Sequence, residues 1–89
     1  MGASSVLIYL TSWCPYCERA RQLLLSKGAQ LREINIEEVP EARAEMVARS
    51  GRYTVPQIFI GEAHVGGCDD LYELDAAGGL DTLLNSSGV

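Results

Sequence analysis

The spacing of apolar residues changes several times along the chain, and each spacing predicts a different secondary-structure element. Residues 6–10 form a continuous apolar run, which predicts a strand buried on both faces. Residues 16–27 carry apolar side chains at intervals of three and four, which predicts a helix. Pro15 suits the first turn of that helix, and Gly28 suits the position just past its end.

Two further strands and a second helix are predicted in the same way. Residues 31–36 largely alternate between apolar and polar side chains, which indicates a second strand. Pro40 begins a second helix that extends to about Ser50, and Gly51 ends it. The apolar run at residues 55–60 predicts a third strand.

The last third of the chain predicts a hairpin and a final helical region. Gly61-Glu62 is typical of a two-residue turn, so residues 63–66 should form a fourth strand antiparallel to the third. A helical region is expected over residues 69–84, with one of its first two aspartates as the N-cap. Gly78-Gly79 should interrupt it.

The element order β-α-β-α-β-β-α defines the expected fold class. Strands one and two are joined through a helix and should be parallel, whereas the last two strands form an antiparallel hairpin. We therefore expect a four-stranded mixed sheet with helices on both faces, an α/β architecture. Residues 1–89 should form one domain, with flexible ends at about 1–5 and 85–89.

Composition and charge exclude several classes of partner. No apolar run approaches the ~20 residues of a membrane helix, and the first residues lack the features of a signal peptide, so we expect a cytoplasmic protein. The formal charge of −5 argues against nucleic acid and against anionic membranes as partners. No long exposed apolar stripe is apparent, which favours a monomer.

The cysteines point to thiol chemistry. The chain has three cysteines, and a close pair such as Cys14 and Cys17 in a reducing compartment is typically catalytic or metal-binding. The helix N-terminus favours a thiolate at Cys14, and Cys17 lies one turn further, which suits an attacking and a resolving thiol. A zinc site would need two more ligands, and only His64 and Cys68 are left to supply them, so we expect no metal.

Three motifs together carry a family resemblance. The chain reads Cys14-Pro15-Tyr16-Cys17, then TVPQIFI over residues 54–60, then GGCDDL over residues 66–71. From about Val6 to Leu84 it resembles the dithiol glutaredoxins, most of all their small bacterial type. The resemblance implies the thioredoxin fold and glutathione as co-substrate, with no permanently bound cofactor. It also implies protein partners that carry disulfides or glutathione, with Cys14 as the nucleophile and Cys17 as the resolving thiol.

The resemblance implies a glutathione site on the loop Thr54-Val55-Pro56. Pro56 would follow a cis peptide bond, and the backbone of Val55 would pair with the cysteinyl part of glutathione like an added strand. Tyr16 would flank the thiolate and shape the groove. The alternative is a proline that only opens an edge strand.

Further binding residues are implied at the start of the last helical region. Gly67, Cys68 and Asp69 would receive the γ-glutamyl end of glutathione, and Arg43 would reach its glycine carboxylate. The alternatives are an aspartate that only caps the helix and an arginine that is only a solvated charge. Cys68 is expected to be a small buried thiol and not a third redox centre.

One departure from the family and two other functions complete the sequence analysis. Many members carry a lysine three residues before the first active cysteine, where this chain has Thr11. Trp13 before Cys14 favours a thioredoxin-like reductant, although Pro15-Tyr16 replaces the Gly-Pro of that family. A [2Fe-2S] cluster carrier, formed as a glutathione-bridged dimer, is the remaining alternative.

Overall fold

The computed structural model describes residues 5–86, so most of the flexible ends predicted at about 1–5 and 85–89 lies outside the described residues. The described part of those ends is regular, because Ser5 belongs to a strand and residues 85–86 to a helix. Within the described part, no helix is long and apolar enough to cross a membrane. The elements in chain order are β1 Ser5–Leu10, α1 Pro15–Ser26, β2 Gln30–Asn35, α2 Pro40–Ser50, β3 Gln57–Ile60, β4 Ala63–Gly66, α3 Cys68–Ala76 and α4 Gly79–Ser86. The predicted order of strands and helices is therefore confirmed.

The four strands form one mixed sheet in the order β2-β1-β3-β4. Strand β1 pairs in parallel with β2 and antiparallel with β3, and β3 pairs antiparallel with β4. The central position of β1 explains its continuous apolar run, because both of its faces are covered. Val6 and Ile8 are buried in one core cluster and Tyr9 in another, each fully shielded from solvent.

Helices pack on both faces of the sheet and divide the core in two. The larger cluster joins the sheet to α1, α3 and α4, and its fully buried side chains include Ile8, Leu24, Ile58, Leu71 and Leu80. The smaller cluster packs α2 on the opposite face, with Tyr9, Ile36, Ala42, Met46 and Phe59. This confirms the predicted α/β thioredoxin fold.

The final helical region differs from the prediction at its start. Neither Asp69 nor Asp70 is the N-cap, because α3 already begins at Cys68 and Gly67 is its N-cap. The Asp70 carboxylate instead reaches back and accepts the N–H of Gly67 at 2.9 Å, which satisfies a donor of the first turn. The predicted interruption is confirmed at Gly78, whose φ of 83° separates α3 from α4.

The contact of α1 with the sheet gives the first prediction. Leu24→Ala should lower the free energy of unfolding by about 2–5 kcal/mol, because Leu24 is fully buried and the substitution leaves a cavity. Leu25→Ala is the matched control: the side chain is 44% exposed and should change stability by about 0.5 kcal/mol or less. Urea unfolding followed by circular dichroism measures both, and equal losses would contradict the assignment of the buried face.

Candidate active site

Cys14 is the N-cap residue of α1, in extended backbone conformation. The N–H of Cys17 points to the Cys14 sulfur at a distance of 3.4 Å, and Pro15 occupies the first turn, where no N–H is needed. The sulfur is partly exposed and faces the positive end of the helix dipole. This position sets the Cys14 sulfur against the partial positive charge of the helix N-terminus and leaves it accessible to a disulfide.

Cys17 occupies the same helical turn but has a different environment. Its side chain is only 2% exposed, and burial raises the pKa of its thiol to about 12. A backbone hydrogen bond from Thr11 lowers this pKa, while the neighbouring thiols of Cys14 and Cys68 raise it. Cys17 is therefore protonated at neutral pH, and the sulfur of Cys14 is the more accessible of the two.

Thr11, which stands where the resemblance implies a lysine, contacts the Cys17 thiol through its backbone. Its side chain is itself buried, and no hydrogen-bond partner for its hydroxyl occurs among residues 5–86. The backbone hydrogen bond from Thr11 lowers the pKa of the Cys17 thiol.

Within the described part of the chain, no group of three or more potential metal ligands is present.

A cleft of about 240 Å³ lies beside the reactive helix turn. Three separate segments of the chain line it: the first turn of α1, the loop before β3 and the N-terminus of α3. Its lining residues are Tyr16, Arg52, Thr54, Val55, Pro56, Gly67, Cys68, Asp69 and Asp70. The structure therefore brings together seven of the eight residues predicted to bind a ligand.

Arg43 is the predicted binding residue that does not line the cleft. It is exposed on α2, and Arg52 from the following loop occupies the cleft wall instead. A guanidinium nitrogen of Arg52 lies 2.8 Å from the Asp70 carboxylate. The hydrogen bond from Arg52 and, to a smaller extent, the one from the Gly67 N–H hold the pKa of Asp70 below its ordinary value. The signal that could have identified Arg52 is its position two residues before the Thr54 loop.

The loop before β3 has the geometry that the resemblance implied. The Val55–Pro56 peptide bond is cis, as predicted. The third strand begins only at Gln57 and not at Val55, because the ladder with β1 ends at the pair Tyr9 and Gln57. The backbone groups of Val55 therefore lie beyond this ladder and beside the cleft.

Gly66, which leads into the opposite wall of the cleft, is a position that requires glycine. Gly66 has a φ of +115°, and a side-chain carbon there would collide with the Asp70 carboxylate. A side-chain carbon at Gly67 would lie 3.4 Å from the carbonyl oxygen of Pro56 across the cleft. Cys68 is 5% exposed, and burial raises the pKa of its thiol, so it is the buried thiol that was predicted.

A two-cysteine helix turn beside a cis-proline loop on this four-stranded sheet defines a thiol–disulfide oxidoreductase of the thioredoxin fold. The Glutaredoxin family model matches residues 6–65. Glutaredoxin 3 of Escherichia coli (strain K12) is 58% identical over 81 residues, which cover 91% of this chain and 98% of the relative. The chain belongs to the glutaredoxin family.

Solved structures agree with this assignment. The solution structure of glutaredoxin from Brucella melitensis matches with a TM-score of 0.84 at 55% identity, covering 98% of this chain and 95% of that one. The crystal structure of a buckwheat glutaredoxin–glutathione complex matches with a TM-score of 0.86 at 30% identity, covering 93% of this chain and 78% of that one.

The contrast between the cysteines predicts selective alkylation. Iodoacetamide at pH 8 should modify Cys14 rapidly and leave Cys17 and Cys68 almost unmodified, with peptide mass spectrometry locating the label. A thiol of pKa about 12 is ionised in about one molecule in ten thousand at that pH, and both slow thiols are buried. Labelling of Cys17 at the rate of Cys14 in the folded protein would contradict this division.

Proposed function

We propose that this glutaredoxin reduces glutathione mixed disulfides and protein disulfides, with glutathione as its co-substrate. The observation that carries the proposal is the cleft itself. It starts at the reactive turn of α1, passes the Thr54-Val55-Pro56 loop and ends at the N-terminus of α3. The buckwheat glutaredoxin that this chain resembles was crystallised with glutathione, which supports the same ligand here.

The proposed first half-reaction uses Cys14 alone. Its thiolate attacks the glutathione sulfur of a mixed disulfide, a new sulfur–sulfur bond forms, and the target thiolate leaves and takes up a proton. The thiolate of a second glutathione then attacks the glutathione sulfur bound to Cys14. Oxidised glutathione leaves, and the Cys14 thiolate returns at the helix N-terminus.

Protein disulfides require the second thiol. Cys14 attacks one sulfur of the target and forms a mixed disulfide with it. Cys17 then loses its proton and attacks the Cys14 sulfur, which releases the reduced target and leaves a Cys14–Cys17 disulfide. Two molecules of glutathione reduce this disulfide and leave as oxidised glutathione. The high pKa of Cys17 prevents it from competing in the first attack.

The cleft offers complementary groups along the length of glutathione. The backbone groups of Val55, which lie beyond the β1–β3 ladder, can pair with the cysteinyl unit as an added strand does. The N–H groups at the start of α3, at Cys68 and Asp69, suit the γ-glutamyl carboxylate, and the Asp69 side chain suits its ammonium. Arg52 supplies the cation for the glycine carboxylate, in the role first given to Arg43.

The direct test is the reduction of a small glutathione mixed disulfide, coupled to NADPH through glutathione reductase. Wild type should be active, Cys14→Ser inactive, and Cys17→Ser active because the first mechanism needs only one thiol. With a protein disulfide as substrate, Cys17→Ser should lose most of its activity. An inactive wild type that is folded and fully reduced would contradict the proposal and favour the thioredoxin-like or cluster-carrier alternatives.

The two arginines give a matched pair of variants. Arg52→Gln should lower kcat/KM for a glutathionylated peptide about three- to tenfold, because a partly exposed charged hydrogen bond to the ligand is lost. Arg43→Gln has the same charge change on the exposed face of α2 and should stay within about twofold of wild type. The reverse order of effects would show that Arg43, and not Arg52, binds the glycine carboxylate.

A further inference from the structure

A chain of side-chain hydrogen bonds connects the β3–β4 hairpin to the loop of the cleft. The Nε2 atom of His64 lies 2.8 Å from the Oε1 atom of Gln57. The Nε2 atom of Gln57 donates to the backbone carbonyl of Thr54 at 3.1 Å and contacts the Thr54 hydroxyl at 3.3 Å. Thr54 is the first residue of the loop that includes Val55 and Pro56. None of these contacts reaches the reactive sulfur.

The Gln57 amide can occupy this position well in only one orientation. Gln57 is fully buried, so its amide groups depend on protein partners. With its oxygen toward His64, the amide accepts the ring Nε2–H and donates to Thr54. If the amide were rotated by 180°, its oxygen would face the oxygen of the Thr54 carbonyl, which cannot donate. The Thr54 carbonyl therefore selects this orientation, and the Nε2–H tautomer of His64 holds the amide oxygen in place.

The His64 ring is itself fixed by the sheet. It stacks on Phe59, with ring centroids 4.8 Å apart and planes at 30°, and the two residues are partners in the ladder of β3 and β4. The guanidinium of Arg49 lies over the same Phe59 ring, 4.4 Å from its centroid. A ring fixed by these two contacts can hold the oxygen of the buried amide beside it.

We infer that His64 is a positioning residue for substrate binding. Acting through Gln57, it fixes the Thr54 carbonyl and thereby the backbone of Val55, which is the part of the cleft wall that pairs with an extended ligand. The inference rests on the proposed use of glutathione. Its effect is on recognition of the glutathione unit, and the intrinsic reactivity of the Cys14 thiolate is independent of it.

Two variants separate recognition from reactivity. His64→Phe keeps a ring on Phe59 but removes the donor to Gln57, and it should lower kcat/KM for a glutathionylated peptide about threefold. Gln57→Met removes both contacts to Thr54 and should lower it about tenfold. The rate of Cys14 alkylation by iodoacetamide, which uses no glutathione site, should stay at the wild-type value in both variants. Glu62→Gln, exposed at the tip of the same hairpin, is the control and should change neither rate.

The double variant tests whether the two residues act in series. In the Gln57→Met background, His64→Phe should have no further effect, because the amide that His64 holds is already absent. Multiplying effects, equal losses in both reactions, or an unchanged His64→Phe would each overturn the inference. His64 is exposed, so its variant tests the inference even if Gln57→Met fails to fold. An inactive wild type would instead contradict the proposed function itself.

Discussion

The position of Cys14 at the N-terminus of α1 is the constraint on which the rest of the site depends. The helix presents the Cys17 N–H and the positive end of its dipole to one sulfur, and buries the other sulfur three residues later. The same turn thus holds one accessible sulfur at the helix N-terminus and one buried thiol of pKa about 12. The attacking and resolving roles that we propose for the two cysteines both rest on this one turn of helix.

The sheet makes this turn useful by placing two other segments beside it. The loop that ends at Pro56 and the N-terminus of α3 face each other closely enough that a side chain at Gly67 would meet the Pro56 carbonyl. Asp70 connects these walls, because it accepts hydrogen bonds from both the Gly67 N–H and Arg52. The cleft therefore has walls from three separate segments that are held together by the Asp70 carboxylate.

Much of this could be predicted from the sequence, because the fold depends on periodicity and the site on contiguous motifs. The run at residues 6–10 indicated a central strand, and the three motifs contained seven of the eight predicted binding residues. Arg52 was not predicted as a binding residue, because the spacing of the arginines on and just after α2 does not show which of them lines the cleft. The start of α3 was misplaced because Asp70 lies within the first turn of the helix, and its carboxylate accepts the N–H of the N-cap residue Gly67. The contact of His64 with Gln57 depends on an irregular β3–β4 register that no local pattern shows.

The most direct test of the glutathione cleft is an NMR comparison of the Cys17→Ser protein with and without glutathione attached to Cys14. A ligand that extends along the cleft should shift the backbone amide signals of Val55, Cys68 and Asp69, far from Cys14 in sequence. Shifts confined to residues adjacent to Cys14 and Tyr16 would show that the attached glutathione points into solvent, and would contradict the cleft as its binding site.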